Sequence, residues 1–208
     1  MTHFGVICPT GSHLTTLFAL SHELQQRGHR VTFINILDTR EKVLAARFEF
    51  RAIGADERPL GSEAEILTHR GTLSGISALK DTLKAVEQDM RVILQEAPAV
   101  IQSEGIEALL VDQCSPVGGT VADLLNIPFI SLCNALPLNR EISVPPLFTA
   151  WKYSSTGGAK LRNQVGYALS TVLTRSIRKL TTEYRQQWKL PPPSHSNDYY
   201  SNPKSVVR

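Results

Sequence analysis

The sequence predicts an α/β fold in which a parallel sheet is flanked by helices, and three observations support this. Of its 208 residues, 42% are hydrophobic and 20% are charged, which is typical of a globular chain. Short apolar runs alternate with segments whose apolar residues recur every three or four positions. A strand, a helix and a second strand follow one another within residues 4–36, which predicts a parallel βαβ unit with a right-handed crossover.

The first βαβ unit begins with an apolar strand over residues 4–8. Ser12 is placed to cap the following helix, whose apolar positions continue at helical spacing to about Arg27. Gly28 stands where helices commonly end, and residues 30–36 have the β-branched and aromatic composition of a strand.

The next segment repeats the alternation. A short helix is predicted over 40–46, a third strand over 48–53 and a polar loop over 54–61. From Leu73 onward, apolar residues recur at helical spacing and predict one long helix, which we expect Pro98 to end.

A third stretch predicts two further strands. Residues 108–112 are a buried-strand run that ends in a carboxylate, and Ser115-Pro116 reads as the N-cap and first position of a helix to Asn126. Residues 128–133 form the last predicted strand. The pattern is therefore that of a Rossmann-like parallel sheet with flanking helices up to about residue 133.

The C-terminal third has a different character. Residues 134–151 mix prolines with apolar side chains, which is typical of a packed loop or the wall of a ligand site. A helical region is predicted over 159–189, followed by a segment without periodicity. We therefore divide the chain into a Rossmann-like domain over 1–150, a helical C-terminal extension of it over 151–190, and a disordered tail over 191–208.

Composition and charge exclude several classes of protein. A formal net charge of +3 is too small to indicate a nucleic-acid partner, and no nucleic-acid-binding motif is found. The chain has no signal-peptide pattern, and no apolar run approaches the roughly 18 residues that span a bilayer. Three widely spaced cysteines are typical of reduced thiols. We expect a cytoplasmic protein.

His13 and Asp112 carry the chemistry that the pattern places at one edge of the sheet. Both directly follow predicted strands, and ligands bind at this edge in open α/β sheets. If the two strands are neighbours, Asp112 can fix the His13 tautomer and leave the other ring nitrogen to act as a general base. A solvated or helix-capping histidine and an N-capping aspartate are the alternatives.

Two other kinds of site fit the pattern less well. A dinucleotide site requires Gly-x-Gly-x-x-Gly after the first strand, where this chain has Gly11 alone. Gly118-Gly119 is more typical of close helix packing than of phosphate binding. Cys8, His13, Cys114 and Cys133 all belong to this edge, but their spacing matches no zinc pattern.

The helical extension is strongly basic. Its lysines and arginines are accompanied by a single acid, Glu183. Such a face is commonly solvated surface. The alternative is a peripheral membrane contact, with Trp151, Tyr153 and Tyr167 at headgroup level and the basic residues on anionic lipid.

Several motifs agree in order and spacing with one family. They are Cys8-Pro9 before His13, ELQQRGHRVTF over 23–33, LVDQ over 110–113, PVGGTVAD over 116–123, IPF over 127–129, CNALPLNRE over 133–141 and PPLFT over 145–149. The chain resembles the N-terminal domain of GT-B glycosyltransferases that use UDP-sugars. Within them it is most similar to bacterial carotenoid glucosyltransferases of the zeaxanthin type.

The resemblance implies an inverting sugar transfer to a hydroxyl of a hydrophobic, carotenoid-like acceptor. His13 falls at the position of the family's general base and Asp112 at that of the carboxylate that orients it. The resemblance implies no cofactor or metal in this chain, since the UDP-sugar donor is a substrate of the intact family. It implies acceptor binding by Ser12, Asn134, Leu136, Phe148 and Trp151.

The chain departs from the family in two ways. The family has Gly-His-x-x-Pro in the first loop, where this chain has Gly11-Ser12-His13-Leu14-Thr15-Thr16. The family's second domain carries a His-Cys-Gly-x-Asn type motif for the donor diphosphate, and this sequence has none. We therefore expect the acceptor half without the donor domain, inactive by itself, with the donor domain either lost by truncation or supplied by a separate chain. A noncatalytic acceptor-binding or scaffold module and an unrelated nucleotide-dependent Rossmann-like enzyme are the alternatives.

Overall fold

The computed structural model describes residues 1–134, 136–193 and 197. Most of the tail for which disorder is predicted, residues 194–196 and 198–208, lies outside the described residues. The disorder of the tail and the domain boundaries therefore stay predictions.

Five parallel strands form one sheet, as the sequence predicts. They are β1 (His3–Ile7), β2 (Arg30–Asn35), β3 (Glu49–Ala52), β4 (Ala108–Asp112) and β5 (Phe129–Leu132). Their order across the sheet is β3-β2-β1-β4-β5. The chain thus reverses its direction of winding between β1 and β4, where Ile7 is in register with Val111.

Seven α-helices accompany the sheet in the described part of the chain. They are α1 (Ser12–Gln26), α2 (Arg40–Ala45), α3 (Ser62–Gly71), α4 (Gly75–Glu104), α5 (Gly118–Leu125), α6 (Gly157–Leu173) and α7 (Arg175–Gln187). A 3-10 turn covers Leu37–Thr39. None of these helices combines the length and the apolar composition that crossing a bilayer requires.

Alternate side chains of the strands point into two separate cores, one on each face of the sheet. Val6 and Phe33 pack with Leu14 and Leu17 of α1 on one face. Ile7 and its neighbours on the other strands pack against α4, α5 and α7 on the opposite face. Because both faces are covered, the central strands β1 and β4 are mostly apolar, as expected for a parallel sheet, whereas the edge strand β3 is partly exposed.

Pro98 does not end the long helix, contrary to the sequence prediction. Helix α4 continues through it to Glu104. Proline inside a helix costs about 3 kcal/mol, because it removes one hydrogen bond and clashes with the preceding turn. Ala97 and Ile101 are fully buried beside Pro98, and their packing offsets that cost.

Helix α3 was not predicted, because its start is stabilised from a distance. The Asp38 carboxylate accepts hydrogen bonds from the backbone N–H groups of Gly61 and Glu63, at 2.5 and 2.7 Å. A capping residue 23 positions away is invisible to local pattern analysis. The helix buries none of its own residues, so it also lacks a strong apolar signal.

Two helix starts differ from the sequence prediction. Helix α1 has Gly11 at its N-cap, with φ of 74°, and no side-chain capping bond, so Ser12 is its first residue rather than its cap. Helix α5 starts at Gly118 rather than beside Ser115-Pro116. There the Ser115 N–H donates to the Asp112 carbonyl at 2.8 Å, closing a tight turn after β4.

The predicted helical extension is confirmed, and it consists of two helices separated at Thr174. Ile177 and Leu180 of α7 are part of the sheet core. Arg185 of α7 donates to the Asp123 carboxylate of α5 at 2.7 Å. Helix α7 is thus attached to the Rossmann-like body by both apolar packing and a charged hydrogen bond.

Candidate active site

The carboxyl ends of β1 and β4 meet at the middle of the sheet, and this point positions His13 and Asp112. The two strands are paired neighbours, which was the condition for the predicted histidine–aspartate pair. Asp112 is the last residue of β4, and His13 lies in the first turn of α1, after the loop that follows β1. Ligand sites in open α/β sheets lie at such a switch point.

His13 and Asp112 form a hydrogen-bonded dyad. The distance from His13 Nδ1 to Asp112 Oδ2 is 2.8 Å. The Asp112 side chain is 1% exposed, whereas that of His13 is 22% exposed. With Nδ1 donating to the carboxylate, Nε2 is the ring nitrogen available for a proton, and no described residue occupies it with a hydrogen bond.

The Asp112 carboxylate is fixed by two further donors. The backbone N–H of Cys114 donates to Oδ1 at 2.8 Å, and Asn134 Nδ2 donates to Oδ2 at 2.8 Å. A buried carboxylate is stable only when hydrogen-bonded. Together with His13 these donors satisfy the charge and hold the carboxylate in one orientation.

Gln113 ties the following loop to the same edge. Its side-chain amide donates to Asn139 Oδ1 at 2.5 Å, and its Oε1 accepts from the Leu138 N–H at 2.9 Å. Because Gln113 directly follows Asp112 and is itself buried, residues 138–139 are anchored beside the dyad.

A cavity of about 450 Å³ opens beside His13. Its floor is formed by the ends of β1 and β2, and its far wall by α3 and α4. Most of the lining is apolar, including Ile36, Leu67 and Met90, while Ser12 and His13 line the side nearest the dyad. Its size and composition are those of a small-molecule pocket.

Two of the charged groups in the cavity wall, Arg58 and Asp89, form an ion pair. The guanidinium of Arg58, which is 3% exposed, donates to the Asp89 carboxylate at 2.5 Å. Desolvation raises the pKa of Asp89, and the neighbouring Arg58 charge opposes that shift. Thr10 Oγ1 donates to Glu63. The cavity thus combines an apolar lining with locally balanced charge.

Two thiols near the dyad, those of Cys8 and Cys114, have raised pKa values. Burial, followed by the Asp112 charge, raises the pKa of Cys114 to about 11, and the same causes raise that of Cys8 further. His13, Asp112 and Cys114 bring potential ligand atoms within 4.8 Å of one another. A protonated thiol and a carboxylate that already accepts three hydrogen bonds are poor metal ligands, so the group is better described as a hydrogen-bonded dyad.

Comparison with known proteins identifies relatives of this arrangement. No family model matches the chain. It is 31% identical over 193 residues to a zeaxanthin glucosyltransferase of Pantoea ananas, covering 92% of this chain and 44% of that protein. It is equally similar to a zeaxanthin glucosyltransferase of Pseudescherichia vulneris, over 194 residues, with 92% and 45% covered. The chain thus spans less than half the length of these curated relatives.

Solved structures agree on the fold. The calicheamicin glycosyltransferase CalG4 superposes with a TM-score of 0.61 at 15% identity, covering 97% of this chain and 44% of that one. The chain is an N-terminal GT-B glycosyltransferase domain. The resemblance seen in the sequence motifs is thereby confirmed, as is the α/β fold.

The GT-B domain brings only some of the predicted acceptor residues to the dyad. Ser12 lines the cavity, and Asn134 contacts Asp112. Leu136, Phe148 and Trp151 are 70%, 45% and 38% exposed, and in the described structure they are not part of the cavity lining. Their role in acceptor binding stays a prediction.

The residues that sequence analysis missed are on the far wall of the cavity. Arg58, Glu63 and Asp89 lie in or next to helices α3 and α4, far along the chain from either member of the dyad. An arginine in the predicted polar loop 54–61 suggests solvent exposure. Its burial in the GT-B domain depends on Asp89, 31 positions away, which no local signal identifies.

Proposed function

We propose that this domain binds the acceptor in an inverting transfer of sugar from a UDP-sugar to the hydroxyl of a hydrophobic molecule. The observation that supports this most directly is the His13–Asp112 dyad at the switch point of the sheet, with one ring nitrogen left open beside a largely apolar cavity.

In the proposed reaction His13 is the general base. Its Nε2 takes the proton of the acceptor hydroxyl while that oxygen attacks the anomeric carbon of the sugar. The bond from this carbon to the diphosphate oxygen breaks, and UDP leaves with the electron pair, so the configuration at the carbon inverts. Asp112 accepts the Nδ1–H hydrogen bond and stabilises the imidazolium that forms.

The proposed acceptor is a lipophilic alcohol of carotenoid type. The cavity offers mainly apolar contacts, and the two arginines of its lining are balanced by two carboxylates, so a neutral ligand fits better than an anion. The names of the two relatives, zeaxanthin glucosyltransferase, agree with this class of acceptor.

The proposed donor is UDP-glucose, held by a second domain. Transfer depends on aligning the donor with the acceptor oxygen, and positioning of this kind can contribute about 7–11 kcal/mol to catalysis. We therefore propose that the acceptor half works only together with a donor half. The cytoplasmic location expected from the sequence stays a prediction.

A hybrid enzyme tests the proposal. This domain, fused to the C-terminal half of the Pantoea ananas relative, should transfer labelled glucose from UDP-glucose to zeaxanthin presented in detergent. Product formation by a folded hybrid supports the proposal. A folded hybrid that binds zeaxanthin without transferring glucose would instead indicate a noncatalytic binding module.

Binding by the domain alone tests the cavity separately. Ser12→Trp puts a large ring at the cavity wall beside His13 and should weaken zeaxanthin binding by at least about tenfold, measured by fluorescence quenching. Ser103→Trp, at an exposed position near the end of α4, is the matched control and should bind like the parent. Equal weakening by both variants would place the ligand elsewhere.

A further inference from the structure

Helix α6 buries small and polar side chains and exposes its large apolar ones. Its buried residues are Ala159, Asn163 and Gly166, which are small or polar. Its large apolar side chains, Leu161, Val165, Leu169, Val172 and Leu173, are between 43% and 70% exposed. At 100° per residue these five fall on one side of the helix, on an arc whose centre is roughly 115° from that of the buried three. We call them the α6 stripe.

The buried face of α6 packs against the preceding loop without using the large apolar side chains of the helix. Asn163 Nδ2 donates to the Ile142 carbonyl at 2.9 Å, and a side chain on Gly166 would lie 2.8 Å from both Pro146 and Trp151. Close packing and a hydrogen bond therefore attach α6 to the loop before it. The α6 stripe remains as a separate apolar surface.

Exposed apolar side chains are concentrated in the segment of the chain that contains the α6 stripe. Of the eighteen large hydrophobic residues that are exposed in the described structure, twelve lie within residues 136–173. Tyr153, 68% exposed, and Trp151 precede the helix. Single exposed apolar residues need no explanation, but such a concentration is typical of an interaction surface.

The net charge of residues 151–190 indicates which kind of partner the α6 stripe contacts. Residues 151–190 contain eight basic residues and one acid, a net charge of +7. The rest of the chain has fourteen basic and eighteen acidic residues, a net charge of −4. An exposed apolar stripe within a strongly basic segment, preceded by tyrosine and tryptophan, combines the features of a helix that lies at the surface of an anionic membrane.

We propose that α6 docks this domain on an anionic lipid bilayer, with the α6 stripe inserted among the acyl chains and exposed basic residues such as Lys160 and Arg175 at the headgroups. A second copy of the chain fits this surface less well, because a symmetric contact would bring two net-positive segments together. The proposal does not depend on the transferase reaction, since it rests on a surface outside the cavity.

Vesicle flotation tests the proposal with the purified full chain. The protein should float with vesicles of phosphatidylglycerol and phosphatidylcholine at low ionic strength, and far less with phosphatidylcholine alone. Binding should weaken as salt is added, because salt screens the basic residues. Failure to float with the anionic vesicles at low salt would overturn the proposal.

Variants separate the apolar and the charged contributions. Leu161→Ser, Val165→Ser and Leu169→Ser combined should lower binding more than about tenfold, since they remove the inserted surface. Lys160→Gln with Arg175→Gln should lower it on the order of tenfold to thirtyfold, at about 1 kcal/mol for each basic residue near the membrane. The α6 stripe is exposed, so circular dichroism should show both variants folded.

The matched control replaces two even more exposed apolar residues outside the region, Leu60→Ser and Ile76→Ser. It should float like the parent protein. Equal loss from the control and the α6 stripe variant would show nonspecific hydrophobic adsorption and overturn the proposal. So would sedimentation showing a dimer that the α6 stripe variant abolishes, because the stripe would then be covered by a second copy.

Discussion

Strand β1 has a histidine near each end, and the two occupy opposite kinds of site. His3 begins the strand, and His13 follows it in the first turn of α1. Both His3 ring nitrogens have partners, with Nδ1 3.1 Å from the Glu104 carbonyl and Nε2 2.8 Å from Thr32 Oγ1. Among the described residues, the His13 ring has a hydrogen-bond partner at Nδ1 alone, and its other side faces a cavity.

The difference lies in what surrounds each ring. At the amino end of the sheet, Arg30 donates twice to Glu49, at 2.7 and 2.6 Å, and this ion pair and Thr32 enclose His3. At the carboxyl end the chain diverges at the switch point and leaves a cavity. A histidine beside a carboxylate is therefore not enough to indicate catalysis. The open nitrogen beside a cavity distinguishes the candidate base from the structural residue.

The largest expected effect comes from exchanging each histidine for glutamine in the hybrid enzyme. His13→Gln removes the proton acceptor and should lower kcat by about 10²–10⁴-fold. His3→Gln should leave kcat nearly unchanged and lower the free energy of unfolding by about 1–3 kcal/mol, because buried partners lose their hydrogen bonds. Steady-state kinetics and urea unfolding measure the two quantities.

The opposite effects of the two substitutions would contradict the roles assigned to His3 and His13. If His13→Gln retains turnover while His3→Gln loses it in a folded protein, the catalytic edge has been assigned to the wrong end of β1. His69→Gln, at an exposed position on α3, controls for the substitution itself and should change neither quantity.

A second prediction concerns the packing that holds the carboxyl end of β4. A Cβ on Gly118 would lie 2.6 Å from Val111 Cγ1, one residue before Asp112, so Gly118→Ala must shift the strand or the helix. We expect it to destabilise the domain by about 1–3 kcal/mol. Gly158→Ala in α6, where nothing lies within 4 Å, is the control and should be neutral or stabilising by up to about 1 kcal/mol. Thermal unfolding distinguishes the two variants.

The sequence predicted the parts of this molecule that depend on local pattern. Strand order could not be predicted by local pattern, yet the positions of His13 and Asp112 just after apolar runs were enough to place both at one edge. Pro98 shows the limit, because tertiary burial of Ala97 and Ile101 overrides a local helix breaker. The far wall of the cavity shows another, since Arg58 is buried only through its distant partner Asp89.

Substitution of Asn134, at the carboxyl end of the sheet beside the cavity, should have a smaller effect on kcat than substitution of His13. Sequence analysis assigned it to acceptor binding, and the structure places its amide 2.8 Å from Asp112 Oδ2, where it orients the carboxylate. Removing one charged hydrogen bond in Asn134→Ala should lower kcat of the hybrid about tenfold or somewhat more, with KM for zeaxanthin little changed. A rise in KM at constant kcat would instead support direct acceptor contact.

The smallest expected effect is on how the stability of the domain depends on pH through His3, at the amino end of β1. Burial, and secondarily the Arg30 charge, lower the pKa of His3 from its ordinary value of 6.5. Between pH 6.5 and the lowered pKa, His3 is protonated in the unfolded chain but neutral in the folded one. The stability contributed by neutral His3 is therefore complete above 6.5 and is lost as pH falls through the lowered pKa.

Urea unfolding of the parent and His3→Gln between about pH 7.5 and about pH 5.5 measures this contribution. The difference in unfolding free energy between them should shrink as pH falls, by at most about 1.4 kcal/mol per pH unit for one site. Glu49 does not contribute in this window, because Arg30 holds the pKa of Glu49 below its usual range. A difference independent of pH would show that His3 is not the residue whose protonation opposes folding. The contribution of His3 to the free energy of unfolding would then come from its hydrogen bonds alone.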